Sequence, residues 1–127
     1  MRRETQLLRQ VHPQFVQKGQ PSSEVFRPTP KDEKLLSVYD GDQIGPGDAF
    51  EHYTNRLGLA SIGIMAVTVG ECQTCALQSR PDPEAFPEHA VIDFSEYGER
   101  ETKKKAKQLK AFANQRGWLY RWDSSPN

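Results

Sequence analysis

The sequence predicts a single α+β domain, with α/β as the alternative class: a mixed sheet of about five strands flanked by two main helices. Three observations predict it. Short apolar runs recur along the chain, helical patterns with polar faces separate several of them, and 127 residues suit one domain with its own core. The predicted globular domain spans residues 1–122, and residues 123–127 are predicted to be a disordered C-terminal tail.

The first strand is predicted at residues 6–12, where Pro13 ends an apolar run. Residues 16–30 contain three prolines, a glycine and two serines, so we expect a loop there. A second strand over residues 34–40 runs into an Asp-Gly-Asp turn. We expect Phe26 to anchor this loop by burying its ring, with Arg27 beside Asp40 or Asp42.

The next segment has the pattern of a helix start. Asp48 is the expected N-cap, and Glu51 follows three residues later, as in a capping box. The helix then covers residues 49–57, and Gly58 is the expected stop.

The clearest strand is residues 60–69, which are apolar on both faces as in a central strand covered by helices. A short helix over residues 71–77, a proline-rich loop over residues 78–88 and a strand over residues 89–94 follow. The right-handed crossover rule favours parallel strand pairs across the two clearer helices.

The strongest helix prediction covers residues 99–116 and ends at Gly117. Its apolar residues share one stripe: Ala106, Leu109, Phe112 and Ala113. Residues 118–122 are the expected last strand.

Composition restricts the partners. The 17 acidic and 17 basic residues cancel, so no overall field draws the chain to nucleic acid or to an anionic membrane. The lysine-rich residues 103–110 are expected to be the solvated face of a helix. The apolar run at residues 60–69 is too short to span a bilayer, and the N-terminus lacks the pattern of a signal peptide. We therefore expect a cytoplasmic protein that binds neither membrane nor nucleic acid.

Cys72 and Cys75 form one CxxC pair, which with His89 or His52 would make a zinc site. A structural zinc site commonly needs a second close pair of ligands, and this sequence has none. The thiols also lack the flanking residues of a thioredoxin-like motif. We expect no metal and no cofactor, and interpret the cysteines as two small residues on a short helix.

Five polar residues are the candidates for a site. Arg9 lies inside the first strand, where we expect it to face solvent from a sheet edge, and His12 ends that strand. Ser37 and Tyr39 lie in the second strand, and His89 opens a later one.

The order "LLRQVHP … SSEVFRPTPKDEKLLSVYDGD … AFEHYTNR" resembles the first half of the ADP-ribosyltransferase-like fold, including RES-type toxin domains. In that family an early Arg or His and a later Ser or Tyr hold nicotinamide adenine dinucleotide (NAD), and a Glu acts on the ribose. The resemblance implies that Arg9 or His12, with Ser37 or Tyr39, lines such a pocket. The whole chain also resembles small bacterial proteins of unassigned function, which implies no activity.

Two functions follow. The first is a non-catalytic interaction or accessory module whose partner is another protein, because the charge is balanced and no convincing acid–base pair stands out. The alternative is an ADP-ribosyltransferase-like enzyme or a binder of an NAD-type nucleotide. Whether the protein is an enzyme is left open. Convergence of the five candidate residues in one concave pocket would favour the alternative.

Overall fold

The structure, a computed structural model, describes residues 1–29, 31 and 33–122. It confirms a single α+β domain whose main sheet is antiparallel and curled into a half-barrel. The tail predicted at residues 123–127 lies outside the described residues.

The elements are short except for the last helix. The strands are β1 (Gln6–Gln10), β2 (Val16–Gln17), β3 (Gln20–Pro21), β4 (Leu35–Asp40), β5 (Gly63–Thr68), β6 (Gln78–Pro81), β7 (His89–Asp93) and β8 (Tyr120–Arg121). The α-helices are α1 (Pro46–Glu51), α2 (Val69–Thr74) and α3 (Glu99–Arg116). A π-helical turn, His52–Arg56, continues α1, and 3-10 turns occupy Pro13–Phe15 and Ser23–Phe26.

The main sheet has the order β6-β7-β4-β1-β5-β8, and β2 pairs with β3 separately. Every strand pair within the described residues is antiparallel, so the predictions of a mixed sheet, of an α/β class and of parallel pairs were wrong. The reason is an inserted strand. β4 and β5 both pair antiparallel with β1, so they run in the same direction but lie on either side of it.

Two local predictions also need correction. Residues 78–88 were expected to be all loop, but β6 forms at the sheet edge, where Pro81 is tolerated because its missing N–H breaks no ladder. Asp48 is not an N-cap: Gly45 caps α1, and Pro46 takes the first helical position. The capping box lies on α2 instead, between Thr68 and Glu71.

The two faces of the sheet carry separate cores. On the α3 face Leu109 is fully buried, as the helical stripe predicted, and Gly117 ends α3 with φ 87°. Phe26 is also fully buried there, which confirms it as the anchor of its loop. Arg27 is not beside Asp40 or Asp42; it lies at the first turn of α3. On the α1 face a smaller core contains the side chains of Leu8, Tyr39, Ala49, Phe50, Ile64 and Ala66.

Across the described part of the chain, no helix combines the length and the apolar character that crossing a bilayer requires.

Asp93, at the end of β7, gives the fold a predictable pH dependence. Hydrogen bonds from Ser95 and Arg80 lower its pKa from 3.8 to about 2. A lowered carboxyl pKa contributes stability above the ordinary pKa that is lost as pH falls towards the folded one. We expect Asp93→Asn to lower the melting temperature at pH 6, and the gap from the wild type to close between about pH 4 and pH 2. A gap of constant size over that range would contradict this assignment.

Candidate ligand-binding cleft

A cleft opens on the α1 face where two strands separate. β1 and β4 pair at Leu7↔Asp40 and Leu8↔Tyr39, and their pairing ends after these two positions. A cavity of about 370 Å³ lies at that point, between the π-helical turn and the loop before β7. Its lining residues are Arg9, Gln10, Ser37, Val38, Tyr39, Tyr53, Leu57, Leu59, Ala85, Phe86 and His89.

The cleft brings together most of the residues that the sequence singled out. Arg9, Ser37, Tyr39 and His89 all line it. His12 does not, because it caps the 3-10 turn that follows it, where its Nδ1 accepts a hydrogen bond from the Gln14 amide at 3.0 Å.

Arg9 has a different setting from the one predicted. β1 lies between β4 and β5 rather than at an edge, and the Arg9 side chain is half-buried. Its Nε donates to the carbonyl oxygen of Val25 at 2.7 Å, and its Nη1 donates to that of Ser37 at 2.8 Å. The guanidinium therefore ties the Val25 loop to β4 where β1 and β4 separate. Arg9 holds the wall of the cleft, and Ser37 contributes its carbonyl to that contact.

An aromatic cluster forms one side of the cleft, with Phe86 at its centre. The Phe86 ring centroid lies 5.0 Å from that of Tyr39, 4.6 Å from that of His52 and 5.0 Å from that of His89. Tyr39 and His89 are directly opposite each other on β4 and β7. The sheet register therefore fixes the positions of the Tyr39 and His89 rings. Phe86 lies on the proline-rich loop before β7.

The Tyr39 phenol is held by the π-helical turn. Its oxygen lies 2.8 Å from His52 Nδ1. Burial raises the pKa of Tyr39 well above its ordinary value, electrostatic repulsion from Tyr53 and Glu88 raises it further, and a side-chain hydrogen bond with Gln10 lowers it by a smaller amount. The phenol therefore stays protonated at neutral pH, and its oxygen shares a hydrogen bond with His52 Nδ1.

His89 is oriented by a single acidic residue. Its Nδ1 lies 3.0 Å from the carbonyl oxygen of Asp82 and 3.2 Å from the Asp82 carboxylate. Both partners are acceptors, so Nδ1 carries the hydrogen and, in the neutral ring, Nε2 is left with its lone pair. The buried ring lines the aromatic side of the cleft.

Gln10 lines the cleft although it was not among the five candidate residues. Its Nε2 donates to the carbonyl oxygen of Ala49 at 3.0 Å, which fixes the orientation of the amide. The residue is only 6% exposed, and its Oε1 has no hydrogen-bond partner among the described residues. A buried acceptor without a donor costs about 1–3 kcal/mol, and a molecule that displaced the atoms covering this oxygen could supply the missing hydrogen bond.

The cleft is mostly aromatic and aliphatic and carries acceptors rather than charges. Leu57 and Leu59, which are 44% and 49% exposed, belong to its lining. Among the described residues that line it, none is acidic, and Arg9, a cation, donates to two backbone carbonyls. This combination suits a neutral, flat molecule with N–H donors better than it suits a phosphate or a metal ion.

The two cysteines lie outside this cleft, buried on and just after α2 as free thiols. Burial raises the pKa of Cys72 to about 12 and also raises that of Cys75. Within the described residues no three His, Cys, Asp or Glu side chains are grouped so as to hold a metal ion.

We expect both thiols to react slowly with a maleimide at about pH 8 until denaturant is added, because the thiolate is the reactive form. We also expect less than one equivalent of zinc in protein purified without added metal. Fast labelling of the native protein, or an equimolar zinc content that Cys72→Ser with Cys75→Ser removes, would refute these expectations.

The chain matches no protein-family model, no curated protein and no solved structure. The likeness to the ADP-ribosyltransferase-like fold stays a prediction, and the interpretation of the cleft depends on its own geometry.

Proposed function

We propose that this protein is a non-catalytic binding module that takes a neutral heteroaromatic ring with N–H donors, of the size of nicotinamide or a nucleobase, into the cleft. The observation that carries the proposal is the buried Oε1 of Gln10, which has no partner among the described residues and belongs to a cleft with an aromatic wall. A ligand N–H would satisfy that oxygen, and the ring would pack against Phe86.

The size of the cleft supports a single ring system. A volume of about 370 Å³ is near the lower end for ligand pockets, so a complete dinucleotide does not fit inside it. An NAD-type nucleotide would therefore enter with one ring. Free nicotinamide matches best, because its carboxamide N–H₂ can donate to Gln10 Oε1 and its ring is neutral, whereas the nicotinamide ring of oxidised NAD carries a positive charge.

Transfer chemistry has less support than binding. The resemblance to ADP-ribosyltransferases implies a Glu acting on the ribose, but no acidic residue lines the cleft in the part of the chain that the structure describes. Glu88 acts on Tyr39 only through its charge, which raises the pKa of the phenol. The protein partner expected from the sequence remains a proposal, and Leu57 and Leu59 are the exposed apolar side chains of the cleft that such a partner would meet.

The test compares two ligands that differ in one group. Nicotinamide and methyl nicotinate share a ring, but only the amide has N–H donors. We expect nicotinamide to shift the backbone amide signals of residues 9–10, 37–39, 53–59 and 85–89 saturably, and methyl nicotinate to bind about tenfold more weakly or worse, because it leaves Gln10 Oε1 unpaired.

A matched pair of variants identifies the contact. Gln10→Met keeps the side-chain length and removes the acceptor, so it should abolish the preference for the amide. Gln17→Met, at an exposed position on β2, should leave it unchanged. Absence of any shift at millimolar nicotinamide and at millimolar adenosine would refute the proposed function. An amide preference that survives in Gln10→Met would refute the role of Oε1.

A further inference from the structure

We propose a second binding site on this protein, for the phosphate group of a phosphate monoester, at the first turn of α3. A cavity of about 370 Å³ lies there. Its lining residues are Arg27, Pro28, Lys34, Glu99, Thr102 and Lys103, none of which lines the cleft of the α1 face.

The start of α3 is an uncapped helix end. The helix has 18 residues, and Gly98 at its N-cap makes no side-chain capping hydrogen bond. The first backbone N–H groups of any α-helix have no acceptor within the helix, and the helix dipole makes this end positive. An anion is the group that such an end attracts.

Thr102 gives an independent indication of a ligand. It lines the cavity, it is only 7% exposed, and its hydroxyl Oγ1 has no hydrogen-bond partner in residues 1–29, 31 and 33–122. Its backbone N–H donates to the carbonyl oxygen of Gly98 at 2.9 Å, but its hydroxyl does not take a similar bond within the helix. A buried hydroxyl costs free energy unless something accepts from it.

Arg27 adds an unpaired donor. Its Nε is fully shielded from water and has no hydrogen-bond partner in the part of the chain that the structure describes. The 3-10 turn Ser23–Phe26 places it there, because burial of Phe26 fixes the preceding backbone. A guanidinium is always charged and presents several N–H donors, a geometry that matches the oxygens of a phosphate.

The charges around the cavity favour an anion. Among the described residues that line the cavity, Arg27, Lys34 and Lys103 are three cations beside one carboxylate, that of Glu99. Lys34 Nζ donates to the carbonyl of Tyr97 at 2.7 Å, and Lys103 Nζ lies 3.0 Å from Glu99 Oε1. The Glu99 side chain is 84% exposed, so it can rotate into water and release Lys103. A tetrahedral anion that displaced the atoms now covering the Thr102 hydroxyl and Arg27 Nε would then meet both donors at the first turn of α3.

The volume of the cavity favours a phosphate monoester over inorganic phosphate. The cavity is larger than one tetrahedral anion, so we expect a monoester such as ribose 5-phosphate to bind more tightly than inorganic phosphate. The experiment titrates the protein with ribose 5-phosphate, inorganic phosphate and sodium chloride at constant ionic strength, and follows the backbone amide signals of residues 98–103. We expect saturable shifts with both phosphates and none with chloride.

Variants distinguish a specific phosphate site from a general attraction of anions to positive charge. Thr102→Val keeps the shape and removes the hydroxyl, and Arg27→Ala removes the guanidinium; each should weaken ribose 5-phosphate about tenfold or more. Lys107→Ala, an exposed lysine of the same helix, should leave the affinity unchanged, and Glu99→Gln should increase it. Wild-type affinity in both Thr102→Val and Arg27→Ala, or equal losses in Lys107→Ala, would overturn the proposal. Shifts of equal size with sodium chloride and with the two phosphates would overturn it as well.

Discussion

Replacing Phe26 with alanine is expected to destabilise the fold by about 3–5 kcal/mol, as for other fully buried aromatic residues. Its ring is fully buried in the α3-face core, and the turn that carries it packs against α3. The preceding residue, Val25, accepts the hydrogen bond from Arg9 Nε. Loss of the ring would therefore loosen the wall of the cleft as well as the core.

Denaturant unfolding measures this loss, and Phe15→Ala is the matched control. Phe15 is only partly buried against the same core, so its truncation should cost clearly less. A loss below about 1 kcal/mol for Phe26→Ala, or equal losses for the two variants, would contradict the anchoring role of Phe26.

Replacing Glu71 with alanine is expected to cost about 2–4 kcal/mol, because one side chain makes two kinds of contact. Its Oε1 accepts from the Thr68 backbone N–H at 2.8 Å and closes the capping box of α2. Its two oxygens also accept from Arg116, at 3.0 and 2.8 Å. Arg116 further donates to the carbonyl of Ala66, so the group joins α2, α3 and β5.

A double-mutant cycle with Arg116→Met separates the ion pair from the cap. The two substitutions should be strongly non-additive, because either one removes the pair. Glu99→Ala is the comparison: it breaks an exposed pair with Lys103 on α3 and should change stability little. Additive losses at Glu71 and Arg116 would show that the pair contributes nothing beyond the cap.

The elements of this fold were largely predictable because their signals are local. The apolar runs at β4, β5 and β7 and the stripe of α3 that includes Leu109 follow from periodicity over a few residues. Strand direction was not predictable, because it depends on β1 inserting between β4 and β5, a pairing across more than 50 residues of chain in the case of β5. The first ten residues carry no local signal that β1 pairs with β5.

The candidate site was predicted in part for the same reason. Arg9, Tyr39 and His89 were found because polar or aromatic side chains in apolar strands are conspicuous. Gln10 and Phe86 were missed: an amide beside an arginine and a phenylalanine in a proline-rich loop carry no distinguishing signal. Their importance arises only from the separation of β1 and β4 and from the position of the loop before β7.

A crystal structure of the protein with nicotinamide tests the central claim, that the cleft is a ligand site, most directly. The account predicts the ring in the cleft against Phe86, with the carboxamide nitrogen about 2.7–3.2 Å from Gln10 Oε1 and the Gln10 Nε2 bond to Ala49 retained. A cleft that holds only water at saturating nicotinamide, with Gln10 Oε1 paired to that water, would contradict it.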